Sequence, residues 1–177
     1  MTLFIRRFIG ALVLDPVTFE DVESDRKAGG QAALVVLLAC IAAGFAAMGS
    51  TSISLATFAA GMIAMLGAWV VWAMLITTIG TILLAEPQTS SKPTELLRTM
   101  GFAAAPGVFI AFGAMRAAAP FAFVAGSIWM IAATVLAVRQ ALDYKSLARA
   151  VVVCVVAWFV AFGLVALGAV MFTRPVS

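Results

Sequence analysis

The sequence predicts an all-α membrane protein: five transmembrane helices preceded by a short amphipathic and acidic cytoplasmic helical segment. Three observations predict it. Five long apolar stretches carry almost no charge. Hydrophobic residues make up 64% and charged residues 11% of the 177, against roughly 25% charged in a soluble domain, and the mean hydropathy is +1.15. The charges outside the stretches fall very unevenly along the chain.

An apolar run of about 18 or more residues is long enough to cross a bilayer. Spans are expected near 30–48, 58–84, 99–115, 120–140 and 148–172, making residues 30–177 a five-helix domain and residues 1–29 a separate amino-terminal segment. Helices are the expected form. The runs are continuous rather than alternating, and in lipid each backbone group must be paired within its own segment.

Five spans place the termini on opposite sides. With the amino terminus inside, the inner segments hold Arg6, Arg7, Arg26, Lys27, Lys92, Arg98, Arg139, Lys145 and Arg149; the outer ones hold only Arg116 and Arg174. Cytoplasmic loops carry the excess of Lys and Arg. This predicts a cytoplasmic amino terminus and an outward carboxyl terminus. All the acids also fall on the inner side: Asp15, Glu20, Asp21, Glu23, Asp25, Glu86, Glu95 and Asp143. Acids contribute little to orientation, so their clustering calls for its own explanation.

Residues 2–14 read as an amphipathic helix. Phe4, Ile5, Phe8, Ile9 and Leu12 share a broad face, with Arg6 and Arg7 opposite, as in a helix lying at the headgroup level with its arginines near anionic lipid. A cleaved signal peptide is the competing reading. The apolar core is short for one, Asp15-Pro16 ends it and no small-residue cleavage site follows. Asp15 and Pro16 read as the cap and first residue of the next helix, with Thr18 and Asp21 as a capping-box-like pair. Gly29-Gly30 reads as a bend before the first span.

The first outer loop, residues 49–57, is short, uncharged and rich in Ser and Thr. The second span is long enough to tilt or to project beyond the hydrocarbon. Trp69, Trp72 and Trp129 lie mid-span and are expected to pack between helices. Pro93 opens the third helix, and Pro106, which removes one backbone bond, is expected to kink it after Gly101. Thr77, Thr78 and Thr81 form a polar stripe whose hydroxyls are expected to bond their own helix or a neighbour.

Three inner segments are expected to meet beneath the bundle and form a charged cluster: Glu20, Glu23 and Asp25 from the acidic helix, Glu95 and Arg98 from the third helix, Arg139 and Asp143 from the end of the fourth. Arg98 and Arg139 stand where a buried charge needs a partner, and Glu20 or Glu23 suits either in a bidentate pair. The plainer reading is a structural ion-pair network locking the acidic helix under the bundle. The sharper one is a site for a headgroup, a divalent cation or a protein partner. An all-carboxylate site would suit magnesium or calcium, but no spacing matches a specific metal loop.

Several chemistries find no support. There is no His, which removes the usual general base and most zinc chemistry. Cys40 and Cys154 fall inside spans and read as small apolar packing residues. The net charge is only +3, with no basic stripe interleaved with aromatics, so nucleic acid is not an expected partner. No catalytic residue set is visible and no cofactor is called for.

The five-span layout resembles the Yip1 family of integral membrane proteins in a short bacterial form. The carrying residues are Asp15-Pro16 with Phe19-Glu20-Asp21-Val22-Glu23-Ser24-Asp25, then Glu95-Leu96-Leu97-Arg98 with Gly101-Phe102 and Pro106, then Trp129, and Val138-Arg139-Gln140-Ala141-Leu142-Asp143. The resemblance implies a five-helix membrane fold and association with a second copy or a related membrane protein. Longer eukaryotic relatives associate with small GTPases through a long cytoplasmic amino-terminal domain. That domain is missing here, so such contact is not expected. The function expected is a non-enzymatic scaffold or membrane-organising protein in contact with lipid. The alternatives are a transporter or lipid-translocating protein with a groove beside the kinked third helix, and a divalent-cation-binding membrane protein.

Overall fold

The computed structural model describes residues 2–48, 54–87, 89, 92–115 and 117–172, with side chains as far as residue 164 except 162. The regular structure of the described residues is all helical, with no strand. The helices are α1 (Leu3–Leu12), α2 (Pro16–Ser24), α3 (Ala28–Met48), α4 (Leu55–Thr78), α5 (Pro93–Ala103), α6 (Ala119–Ala141) and α7 (Leu147–Phe172). A π-helical turn, Ile79–Leu83, continues α4, and a 3-10 segment, Ala105–Ala114, continues α5. Arg116 and Arg174, the cations expected on the outer side, and residues 49–53 of the expected first outer loop lie outside the described residues.

Four units are long and apolar enough to cross a membrane: Ala28–Met48, Leu55–Leu83, Pro93–Ala114 and Ala119–Ala141. Helix α7 has 26 residues, apolar but for Arg149, of which Leu147–Ala161 has every side chain described.

Three local expectations change. Gly29 and Gly30 form no bend; both lie in the first turn of α3. A helical glycine costs only about 1 kcal/mol relative to Ala, which the packing of Ala28, Ala32, Val35 and Val36 behind them outweighs. Thr18 and Asp21 form no capping box. The Thr18 hydroxyl donates to Asp15 Oδ2 at 2.8 Å, and Asp15 caps α2 by accepting from the Val17 N–H at 3.2 Å.

Pro106 does more than kink a helix. α5 ends at Ala103 and the chain runs on as a 3-10 helix for ten residues. The missing N–H and the ring clash with the preceding turn remove the α-helical pattern. The tighter helix rises about 2.0 Å per residue rather than about 1.5 Å, so this irregular span still reaches across. Its slimmer cross-section lets Gly107 sit against Ala39 and Met130, and Gly113 against Ala46.

The core has two parts. One joins α1, α2, α3, α5 and α6 through Phe19, Val22, Ala32, Val35, Phe102 and Ala137. The other joins α4, α5, α6 and α7 through Ile76, Leu96, Met100, Val138, Leu142 and Val153. Helices α1 and α2 form an antiparallel hairpin against α5, the 3-10 segment and α6. Leu14 closes its turn in the left-handed region, φ 60°.

Candidate functional site

The charged end of the bundle is built around Arg7. α1 is amphipathic, but Arg7 does not point away from its apolar face toward lipid headgroups. It is 2% exposed. Its Nε donates to Asp21 Oδ2 at 2.8 Å, its Nη2 pairs with Asp25 Oδ2 at 2.9 Å, and its Nη1 donates to Gln31 Oε1 at 3.1 Å. One guanidinium thus joins α1, α2, the α2–α3 turn and α3, and its planar fork suits several acceptors at once. The hydrogen bond from Arg7 holds the Asp21 carboxyl below its usual range. Asp25 is held low first by the Lys27 N–H and then by Arg7. Arg6 is open to solvent and 3.6 Å from Asp21. An arginine on a short amphipathic helix looks solvated in sequence; only the i,i+4 acids Asp21 and Asp25 hint at a shared partner.

Arg98 does hold the acidic helix, by a different atom from the one expected. Its guanidinium donates to the main-chain carbonyl of Glu23, not to a carboxylate. That carbonyl belongs to the last turn of α2, where main-chain acceptors have no partner within the helix. The Glu23 carboxyl is pushed up to about 7, first by burial, then by the charges of Asp143, Glu95 and Glu20, with Arg98 opposing. The structure therefore brings Glu20, Glu95, Arg98 and Asp143 within electrostatic reach of the Glu23 carboxyl. It takes Asp25 away to Arg7 and Arg139 elsewhere. Arg139 Nε donates to the Tyr144 carbonyl at 3.3 Å, so it fastens the α6–α7 turn and not α2. Glu95 also closes the start of α5, accepting from the Lys92 N–H at 2.9 Å.

A second fastening was invisible in the sequence. The Tyr144 hydroxyl donates to the Gly80 carbonyl at 2.7 Å, within the π-helical turn. Arg149 pairs with Glu86 at 3.2 Å and donates to the carbonyls of Leu84 and Ala85. These bonds tie the end of α4 to the α6–α7 turn. The threonine stripe bonds its own helix: Thr77, Thr78 and Thr81 donate to the carbonyls of Ala73, Met74 and Thr77.

The Yip1 domain profile matches residues 9–168, from within α1 to within α7. The chain belongs to the Yip1 domain family. No curated protein and no solved structure matches it.

Within this Yip1 domain several residues that carried the resemblance hold a helix start or core positions. Asp15-Pro16 starts α2, Phe19 and Val22 are fully buried, and Phe102 and Val138 lie in the two halves of the core. Gly101 packs against Ala32, where an added Cβ would stand 2.7 Å from the Ala32 Cβ. Trp129 does more than pack. Its ring stacks on Phe109 at 5.1 Å, and its indole N–H donates to the Leu12 carbonyl at 2.9 Å.

Two open spaces lie in the bundle, the first beside the site. Arg26, Thr94 and Arg98 line a pocket of about 410 Å³ walled by Trp69, Val70 and Leu97. A groove of about 480 Å³ beside the 3-10 segment is lined mainly by apolar side chains such as Ala39, Ala43, Ile110 and Met130. Among the described residues, no group of three or more Asp, Glu, His or Cys is placed to hold a metal ion.

Proposed function

We propose that this Yip1-family protein is a non-enzymatic scaffold or membrane-organising protein of a bacterial cytoplasmic membrane. In this reading α7 is the fifth span and the amino terminus is cytoplasmic. The protein acts through its charged face and through helix contacts with lipid and with a second copy or a related membrane protein.

One observation carries the reading: the charged side chains fasten helices to one another. Arg7, Arg98 and Arg149 each join segments distant in sequence. A transporter driven by ions or protons needs ionisable groups along its path. No Asp, Glu, Lys or Arg occurs between Gln31 and Ala85, and only Arg116 between Thr99 and Val138. Lipid is a fitting contact for the pocket beside Arg98. Its two guanidiniums and one hydroxyl suit a phosphate, and its apolar wall suits the attached chains.

The test is purification in native lipid discs followed by reconstitution. A scaffold gives a stable co-purifying membrane protein or a second copy, and liposomes with no solute or lipid flux above empty controls. Flux that scales with protein content and no retained partner would overturn the reading in favour of transport.

A further inference from the structure

We propose that the α1–α2 hairpin is a re-entrant wedge. It enters the hydrocarbon of the leaflet on the charged side and rests its tip, residues 13–17, among acyl chains near mid-bilayer. The inference goes beyond the scaffold reading and does not depend on it.

Two hydrogen bonds set the hairpin's depth. At its base, Arg98 holds the Glu23 carbonyl, three residues before Gly101 meets Ala32 near the start of α3. At its tip, the Trp129 indole holds the Leu12 carbonyl. Trp129 is near the middle of α6, ten residues from Ala119 and twelve from Ala141. At about 1.5 Å per residue it lies roughly 15 Å from one end and 18 Å from the other. α2 has nine residues and spans about 13 Å, the right length to run from base to tip. A helix lying flat at the headgroups would leave the Leu12 carbonyl well short of Trp129.

The hairpin's surface suits that depth. Ile5, Ile9 and Val13 form an exposed stripe at four-residue spacing, and Val17 continues it across the turn; Val13 is 68% and Val17 69% exposed. Leu34 and Leu37 of α3, a spanning helix, present the same kind of exposed surface. Two of the hairpin's charged groups, Arg7 and Asp15, are engaged within the fold, as a site away from water requires, whereas Glu20 on α2 is exposed. Arg7 is held by Asp21, Asp25 and Gln31. Both oxygens of Asp15, near the tip, are engaged by Val17 and Thr18. Arg6, lower on α1, is long enough to reach down to the headgroups. Arg6, Arg7, Asp15, Thr18 and Asp21 share one groove of about 460 Å³ with Ile9 and Val17, so the hairpin's polar groups meet its apolar stripe along that groove. Such a hairpin takes up area in one leaflet and none in the other.

The test replaces Cys40 and Cys154 by Ala and introduces Val13→Cys, with Leu34→Cys as the lipid reference and Ser24→Cys as the water reference. Each is nitroxide-labelled in vesicles of phosphatidylethanolamine and phosphatidylglycerol. Collision with oxygen, relative to a water-soluble nickel chelate, is expected to be several-fold higher at Val13 than at Ser24 and equal to that at Leu34. A value at Val13 equal to that at Ser24 would overturn the proposal, as would shielding from both reagents, the mark of a protein partner or second copy. Because a label can displace a hairpin, the unlabelled Val13→Cys protein is also treated with a membrane-impermeant maleimide. It is expected to react only after denaturation; reaction in intact vesicles as fast as Ser24→Cys would overturn the proposal on its own.

Discussion

At the scale of single residues, the two arginines of α1 differ by position alone. Arg7 is buried and joined to three acceptors, whereas Arg6 is open to water. Removing one partner of a fully buried pair costs roughly 3–5 kcal/mol. Asp21 and Asp25 are partly exposed, so Arg7→Ala is expected to cost less, about 2–3 kcal/mol. Arg6→Ala should cost under about 1 kcal/mol. Arg7→Lys should recover little, because an ammonium cannot serve three acceptors in a planar fork. Thermal unfolding in mild detergent reads all three; equal losses for Arg6→Ala and Arg7→Ala would mean the pairing contributes nothing. Glu23 gives a pH signature. Its carboxyl is raised from 4.5 to about 7 by burial and the surrounding acids, so the fold favours the protonated form. The stability this group allows is complete below about 4.5, falls as pH rises to about 7 and stays low above that. Glu23→Gln should flatten the melting temperature across this window and exceed the wild type at pH 8. A slope that survives the substitution would place its source elsewhere. Asp21 acts in the opposite sense, its stability being lost only as pH falls below 3.8. Arg98 reaches the Glu23 main chain, so Arg98→Ala should destabilise the protein where Glu23→Ala does not.

At the scale of elements, the third span shows what small residues do here. Gly101, Gly107 and Gly126 are consumed in contacts within the chain, against Ala32, Met130 and Ile110, while Gly29 and Gly30 meet nothing within 4 Å. An added Cβ at Gly101 would stand 2.7 Å from the Ala32 Cβ and 3.1 Å from its carbonyl oxygen. Neither atom can swing away, because both are fixed to the α3 backbone. Gly101→Ala is therefore expected to cost roughly 1–3 kcal/mol by overpacking. Gly29→Ala or Gly30→Ala should gain up to about 1 kcal/mol from helix propensity. Melting curves of the three variants check this, and a neutral Gly101→Ala would mean that α3 and α5 are free to separate. These elements also show what was legible in advance. The apolar runs were, because a span needs only length and lack of charge, and so was Asp15-Pro16, because a cap is a local rule. The 3-10 continuation of α5 was not. Pro106 announces a break, but whether the chain bends or tightens depends on how close Ala39 and Ala46 lie. The π-helical turn had no local signal either, since its Gly80 carbonyl is held by Tyr144, which lies 64 residues away along the chain.

At the scale of the whole molecule, charge asymmetry and tertiary fastening meet at one end. Among the described residues, the cross-helix bonds of Arg7, Arg98, Arg149 and Tyr144 gather where α2 ends, α5 starts and α6 turns into α7. The composition of the loops announced that clustering. It did not announce the pairings, because any inner cation can meet any inner acid until depth and direction are known. Thus Glu23 was legible as a member of the cluster, but its carbonyl was not legible as the acceptor. The same asymmetry makes orientation testable. If α7 is a fifth span, the carboxyl terminus and the α6–α7 turn lie on opposite sides. Lys145 is exposed in that turn, and Ser54 is exposed at the start of α4. With both native cysteines replaced, Lys145→Cys is expected to react with an impermeant maleimide only from the cytoplasmic side. Ser54→Cys and a protease-cleavable tag after Ser177 should be reached only from outside. The positive-inside rule supplies the sign: nine of the eleven cations fall in segments on the Lys145 side. A tag cleaved from the same side as Lys145 would reduce the bundle to four spans and leave α7 buried or lying on the membrane. With 26 residues, apolar but for Arg149 near its start, and about 39 Å of helix, α7 has the length to cross a hydrocarbon core of about 30 Å.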